Sequence, residues 1–225
     1  MKIMIVSPHP DDSDYGLGGI LNKLKDGSHE LIVLCNEKFD VIDVMQQEKI
    51  SERKKEMIQA SDYVNAKCEF FSVEDDIESI ADIVRKYKPN IVFIPFYEDF
   101  NPIHRRVASL FKEVLFISQE DSKQYNGHMV NQLYYYETFS TKGFNPDMLI
   151  DVSQEFTNAK KMLRIHKQGL KTLPSLEYKF ILQHQQRGFD SSVHYAEGLM
   201  IEKEYWYSWN NNTKFKLELL NDLCF

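Results

Sequence analysis

Short apolar runs, Ile3 to Val6, Leu31 to Cys35, Cys68 to Phe71 and Ile91 to Pro95, punctuate the first hundred residues, and each is followed by a longer segment with helix-like spacing. Runs of this length without alternation belong to strands covered on both faces. The intervening segments predict helices over Tyr15 to Leu24, Ser51 to Tyr63, Ile77 to Tyr87 and His104 to Ile117. In the second of these, Arg53, Glu56, Met57 and Ala60 recur at spacings of three and four. Residues 37–50 are polar and acidic without a strand period, and are expected to form a loop over the carboxyl edge of the sheet. Further on, the Tyr-rich stretch Asn131 to Thr138 and the shorter Met148 to Val152 predict two more strands, and Gln154 to Gln168 a helix with Ser153 as its N-cap. Strands alternating with helices define βαβ units. The expected fold class is therefore α/β, a Rossmann-like, doubly wound, mostly parallel sheet flanked by helices, in a single domain over residues 1–225. Beyond Lys171 the periodicity weakens. The aromatic tail around Tyr205, Trp206, Tyr207 and Trp209 is expected to pack on the core or on another copy of the chain, which would make a homo-oligomer.

Composition narrows the partners. With 225 residues, 43% of them hydrophobic, the chain can bury a full core. Lys and Arg number 27 against 34 Asp and Glu, a net charge of −7, so no global positive field exists to hold a nucleic acid or an anionic membrane surface. A small ligand is the expected partner. Cys35, Cys68 and Cys224 are odd in number and form no Cys-x-x-Cys pair, which fits reduced thiols in a cytosol. No apolar stretch approaches the roughly 20 residues of a membrane span, and no signal-peptide pattern precedes the first strand. A soluble, cytoplasmic protein is expected.

The chemistry-bearing residues lie where strands end. Ser7-Pro-His-Pro-Asp-Asp-Ser-Asp-Tyr-Gly-Leu-Gly-Gly19 follows the first apolar run directly, and Pro8 and Pro10 stiffen the turn from which His9, Asp11 and Asp12 project. Gly16, Gly18 and Gly19 let the next helix start close against the sheet. A dinucleotide fingerprint does the same, but here acids crowd the position a phosphate would take. A nucleotide-binding reading is disfavoured on that ground. In a doubly wound sheet, ligands collect where strand order reverses, between the first and fourth strands. The segment after the fourth strand, Phe96 to His104, therefore brings His104 to the same point as His9. A catalytic zinc wants three protein ligands and one open position. His9, Asp12 and His104 would supply the three, with Asp11 beside them as a general base. The plainer alternative is a polar turn whose acids cap the following helix.

These residues resemble the PIG-L or LmbE-like family of zinc-dependent N-deacetylases, which remove acetyl groups from N-acetylglucosamine-type substrates. His9 to Asp12 with the trailing glycines is similar to the family's Pro-His-Pro-Asp-Asp-Glu opening. Arg53 and Glu56 match its Arg-x-x-Glu helix, and Asp99 to His104 its Asp-x-His-x-Asp-His segment. Asp151 to Ser153, Lys160, His166 and Gln168, and then Tyr195 to Gly198, resemble its later elements, so the likeness runs in order to about residue 200. The resemblance implies His9, Asp12 and His104 as ligands of one zinc ion per chain, Asp11 as base and Arg53 as a substrate contact. The implied substrate is a small N-acetylated amino sugar or its conjugate. Tyr195 either faces the acyl pocket or packs as an aromatic of the core, and His166 reads as structural. Arg53 alone, without the resemblance, reads equally as a solvated partner of Glu52 or Glu56.

Three positions depart from the family pattern. Ser13 replaces the Glu after the Asp pair, Asn101 stands where the family commonly has His, and Ile103 where it has an Asp partnering that His. Asn101 can donate an amide N–H to a developing oxyanion but cannot carry a proton, and Ile103 is consistent with no cation needing balance. A rival expectation follows: a catalytically degenerate sugar-binding protein that keeps the metal-site fold.

Overall fold

The computed structural model describes residues 1–38, 46–203 and 223. Four of its strands, β1 (Lys2–Ser7), β2 (Glu30–Asn36), β3 (Lys67–Phe71) and β4 (Ile91–Pro95), alternate with helices α1 (Asp12–Leu24), α2 (Gln46–Tyr63) and α3 (Ile77–Tyr87). After α4 (Pro102–Ile117) come β5 (Gln132–Tyr136), β6 (Met148–Asp151), α5 (Phe156–Leu163), α6 (Lys167–Thr172), α7 (Leu176–Asp190) and β7 (Ala196–Ile201). The strands form one sheet in the order β3-β2-β1-β4-β5-β7-β6. β1 pairs in parallel with both β2 and β4, and the order in which successive strands are added to the sheet reverses at the β1–β4 boundary. Only β7 runs antiparallel to its neighbours, β5 and β6. The α/β expectation of a mostly parallel, helix-flanked sheet therefore holds.

Alternation along β1 divides the core. Ile3 and Ile5 face the cluster built with Leu17, Ile20, Met57 and Ala60 of α1 and α2, whereas Met4 and Val6 face Ile80, Val84, Val107 and Phe111 of α3 and α4. Both faces are covered, which is why β1, β2 and β4 read as unbroken apolar runs. A third cluster joins Tyr15 of α1 to Phe156, Leu163 and Phe180 of α5 and α7. The glycines of α1 meet the expectation of close approach: a Cβ at Gly16 would lie 2.3 Å from the Glu137 carbonyl oxygen, and one at Gly19 would lie 2.5 Å from Val152 Cβ.

Several boundaries differ from expectation. α2 begins at Gln46, inside the span expected to be loop, while residues 39–45 lie outside the described residues. The single helix expected over Gln154 to Gln168 is two, broken between Leu163 and Lys167. Ser153 is not its N-cap, because its Oγ bonds the Asp151 carboxylate and the Tyr195 carbonyl instead. Ala196, Glu197 and Gly198, which carry no strand signal, open the buried strand β7. Its Glu197 is accommodated by donors: the Gly19 and Ile20 N–H groups at 2.6 and 2.8 Å and His184 Nε2 at 3.0 Å. The aromatic tail and Cys224 lie outside the described residues.

Candidate active site

The turn between β1 and α1 is closed by its own polar groups. Ser7 Oγ donates to the His9 carbonyl at 2.5 Å and accepts the Ser13 N–H at 3.1 Å, and Asn36 Nδ2 at the end of β2 donates to the Pro8 carbonyl. Asp11 occupies the N-cap position of α1, yet its carboxylate makes no capping bond. A capping role for the acid pair is thus excluded at Asp11. Asp12 points back to its own turn, with Oδ2 accepting the His9 N–H at 2.9 Å.

Across the switch point, Asn101 caps α4 through its Oδ1, which accepts the Ile103 N–H at 2.9 Å, and Pro102 opens the helix. His104 then sits in the first turn, fully buried, with Nε2 turned toward the β1–α1 loop. His9 Nδ1, Asp12 Oδ2 and His104 Nε2 form a triangle with sides of 2.9, 3.0 and 3.0 Å. Three acceptor-capable atoms converge this closely only around a shared proton or a cation. A tetrahedral ion with bonds of about 2.0–2.1 Å would space its ligands by roughly 3.3 Å, so small movements would admit one. Two imidazole nitrogens and a carboxylate oxygen fit zinc or a comparable divalent ion. The other nitrogen of His104, Nδ1, lies 3.0 Å from Asp99 Oδ2 and 3.1 Å from Thr138 Oγ1. Asp99 is itself held by Thr138, Ser140, Thr141 and the Asn101 N–H. This places a carboxylate behind the His104 imidazole, an arrangement that sets tautomer and ring orientation.

The charges follow from these contacts. Burial alone would raise the Asp12 carboxyl, but His104 and His9 beside it hold it well below the usual carboxylate range. Burial likewise opposes charge on His104, yet Asp12 and Asp99 on its two sides push its pKa up to about 10. Without an ion, the cluster is therefore held together by a proton on His104.

Asp11 lies beside this triangle and outside it. Arg53 Nη2 donates to its Oδ1 at 2.8 Å, so Arg53 contacts the expected base itself. A cavity of about 170 Å³ opens here, lined by His9, Asp11, Arg53, Asn101, Phe139, Gly169, Thr172 and Leu173. Of the residues singled out from sequence, His9, Asp11, Asp12, His104, Arg53 and Asn101 are brought together. Tyr195 is not brought to this cavity: its ring stacks on Phe156 with centroids 3.6 Å apart and planes 3° from parallel.

Sequence reasoning missed several residues. Asp99 was legible only as part of a motif, although a carboxylate five positions before His104 in the same strand-end loop is a signal for an orienting partner. Asp14 joins Asp12 as a second acid in the first turn of α1. Its buried carboxylate accepts from Ser13 Oγ and meets His166 Nε2 at 2.5 Å. Nothing local in the sequence links Asp14 to His166 across 152 positions.

Fold and site together define a class: α/β proteins with a cluster of two His and one Asp at the strand ends of the topological switch point, a set that could hold a divalent ion. Residues 4–115 match the family described as PIG-L: GlcNAc-PI de-N-acetylase. The chain carries a PIG-L family domain over that stretch, which contains all six of the gathered residues. Solved structures share the whole architecture. An N,N'-diacetylchitobiose deacetylase from Pyrococcus horikoshii superposes with a TM-score of 0.78 at 22% identity, covering 95% of this chain and 88% of its own. The 4-carboxy-2-hydroxymuconate hydratase GalB from Pseudomonas putida gives 0.77 at 20% identity, covering 89% and 95%. The conserved protein TT1542 from Thermus thermophilus gives 0.73 at 21% identity, covering 88% and 93%. At these identities the likeness is one of fold.

Proposed function

We propose that the protein is a zinc-dependent N-deacetylase, hydrolysing the acetamide of a small N-acetylated amino sugar or of its conjugate in the cytoplasm. The observation that carries this reading is the His9–Asp12–His104 triangle with a separate carboxylate, Asp11, held by Arg53 at the edge of the same cavity. The family match and the deacetylase among the structural neighbours support it. In this reading His9, Asp12 and His104 hold one zinc ion per chain, and the ion supplies Lewis acidity toward the acyl carbonyl and the attacking water. Asp11 accepts a proton from the water as oxygen attacks the carbonyl carbon, and delivers it to nitrogen as the C–N bond breaks. One water and one acetamide thus give acetate and a free amine. Arg53 holds Asp11 in place through Oδ1. With its Oδ1 engaged in the α4 cap, Asn101 has its Nδ2 protons left to donate to the oxygen that gains negative charge.

A second reading, the degenerate sugar-binding protein, draws on Asn101 and Ile103. Asn101 is fixed as a helix cap, and Ile103 offers no carboxylate. Metal analysis together with acetate release from N-acetylglucosamine separates the two. Under the proposal, purified protein holds about one divalent ion per chain and releases acetate. Asp11→Asn keeps the ion while losing turnover by orders of magnitude. A metal-loaded wild type that binds N-acetylglucosamine without turning it over would instead establish the degenerate reading.

A further inference from the structure

The short helix α6 forms one wall of the cavity through Gly169, Thr172 and Leu173. Gly169 is buried there, and a Cβ built on it would lie 2.4 Å from Asp11 Oδ2 and 3.1 Å from Asp11 Cγ. Its backbone does not require glycine, since Gly143 is the one described glycine with a positive φ. In a helix, alanine is the better residue by up to about 1 kcal/mol. What glycine provides at this position is therefore the missing Cβ. The Asp11 carboxylate fills that space on its Oδ2 side while Arg53 grips Oδ1.

α6 is also tied down on two sides. At its N-cap, His166 meets the buried Asp14 carboxylate of α1, and Gln168 reaches α2, with its N–H on Glu56 Oε1 at 3.2 Å and its Nε2 on Glu52 Oε2 at 2.5 Å. Arg53 projects from the same helix, α2, as those two acids. One carboxylate is thus set between two elements that are bonded to each other.

We infer that Gly169 is a positioning residue: its bare Cα, presented by α6 tied to α1 and α2, defines the one setting of the Asp11 carboxylate from which it serves the cavity. The inference rests on the reading of Asp11 as the base. Displacement of a reacting group by about an ångström costs on the order of 10² in rate. Gly169→Ala is accordingly expected to lower kcat for N-acetylglucosamine about 100-fold, with KM and bound metal near wild type. The same substitution in an Asp11→Asn background is expected to leave the residual rate unchanged, because the group it displaces no longer acts. A glycine needed only for packing would lower both backgrounds alike. Gln168→Ala adds no atom near Asp11, and is expected to lower kcat by a smaller factor in the wild-type background alone. A crystal structure of metal-loaded Gly169→Ala gives a readout independent of substrate: the Asp11 carboxylate is expected to be turned from its wild-type setting, with His9, Asp12 and His104 unmoved. An unmoved Asp11, a wild-type kcat in Gly169→Ala, or equal losses in both backgrounds would overturn the inference. Wild-type turnover in Asp11→Asn would overturn the base reading itself.

Discussion

His104 presents its two ring nitrogens to different partners, Nε2 to Asp12 and His9 and Nδ1 to Asp99, and both outcomes of that geometry are measurable. Raised to about 10 by its two carboxylates, the metal-free imidazole is charged at neutral pH. A metal ion must displace that proton, so apparent zinc affinity is expected to rise about tenfold per pH unit between pH 6 and 8, with about one proton released per ion. Calorimetric titration in buffers of different ionisation enthalpy measures both. For the metal-free protein the sign is the reverse. The pKa of His104 is higher in the folded state than its ordinary 6.5, so the stability it contributes is complete below that value and is lost as pH rises through about 10. The metal-free melting temperature is therefore expected to fall over that interval, and the fall is expected to vanish in His104→Ala. Asp99→Asn keeps the shape of the orienting group but removes its charge. A loss of 10- to 100-fold in zinc affinity is expected, with the far-UV spectrum unchanged. An unaltered affinity would show that Thr138 and Ser140 orient His104 without the carboxylate.

Helix α1 carries the site's first turn, and its position depends on how closely it lies against the sheet. The glycines differ in what surrounds them. A Cβ at Gly16 would meet a backbone oxygen at 2.3 Å and the Tyr136 ring at 2.6 Å, whereas at Gly18 the nearest atom is Ala159 Cβ at 3.2 Å. Gly16→Ala is expected to cost about 2 kcal/mol or more, and Gly18→Ala to lie within about 1 kcal/mol of wild type because helix propensity offsets the tight contact. Urea unfolding of the two variants tests the difference. β7 also shows why an element can be missed. Its first residues, Ala196, Glu197 and Gly198, carry none of the β-branched signal of a strand. The strand forms because it has a buried place between β5 and β6, and because His184 and two α1 amides satisfy Glu197. The break between α5 and α6 has a similar cause: it lets His166 reach Asp14 and lets Gly169 lie against Asp11.

At the scale of the molecule, the candidate ligands join the two sides of the switch point. His9 and Asp12 follow β1, and His104 follows β4 after an insertion of ninety-odd residues. An ion there binds the folded state only, and at 100 times its Kd adds about 2.7 kcal/mol. For a chain of this size that corresponds to a rise in melting temperature of roughly 5–10 °C. Scanning calorimetry with and without a chelator is expected to show it in the wild type and not in His104→Ala. Among the described residues no helix is long and apolar enough to cross a membrane.

What the sequence by itself determined was the frame and the strand ends that carry the candidate site. Ile77–Tyr87 and Ile91–Pro95 were legible to the residue, because an amphipathic helix and a two-face-buried strand write their period directly into the order of side chains. His9, Asp11, Asp12 and His104 were legible because strand-end residues of adjacent parallel strands must meet. Only the tertiary structure decided what surrounds them. The grip of Arg53 on Asp11, Asp99 behind His104, the buried Asp14–His166 pair and the space at Gly169 are contacts between elements far apart in the chain. No local period encodes such contacts, because each depends on packing angles and close approaches that exist only after the helices have settled on the sheet.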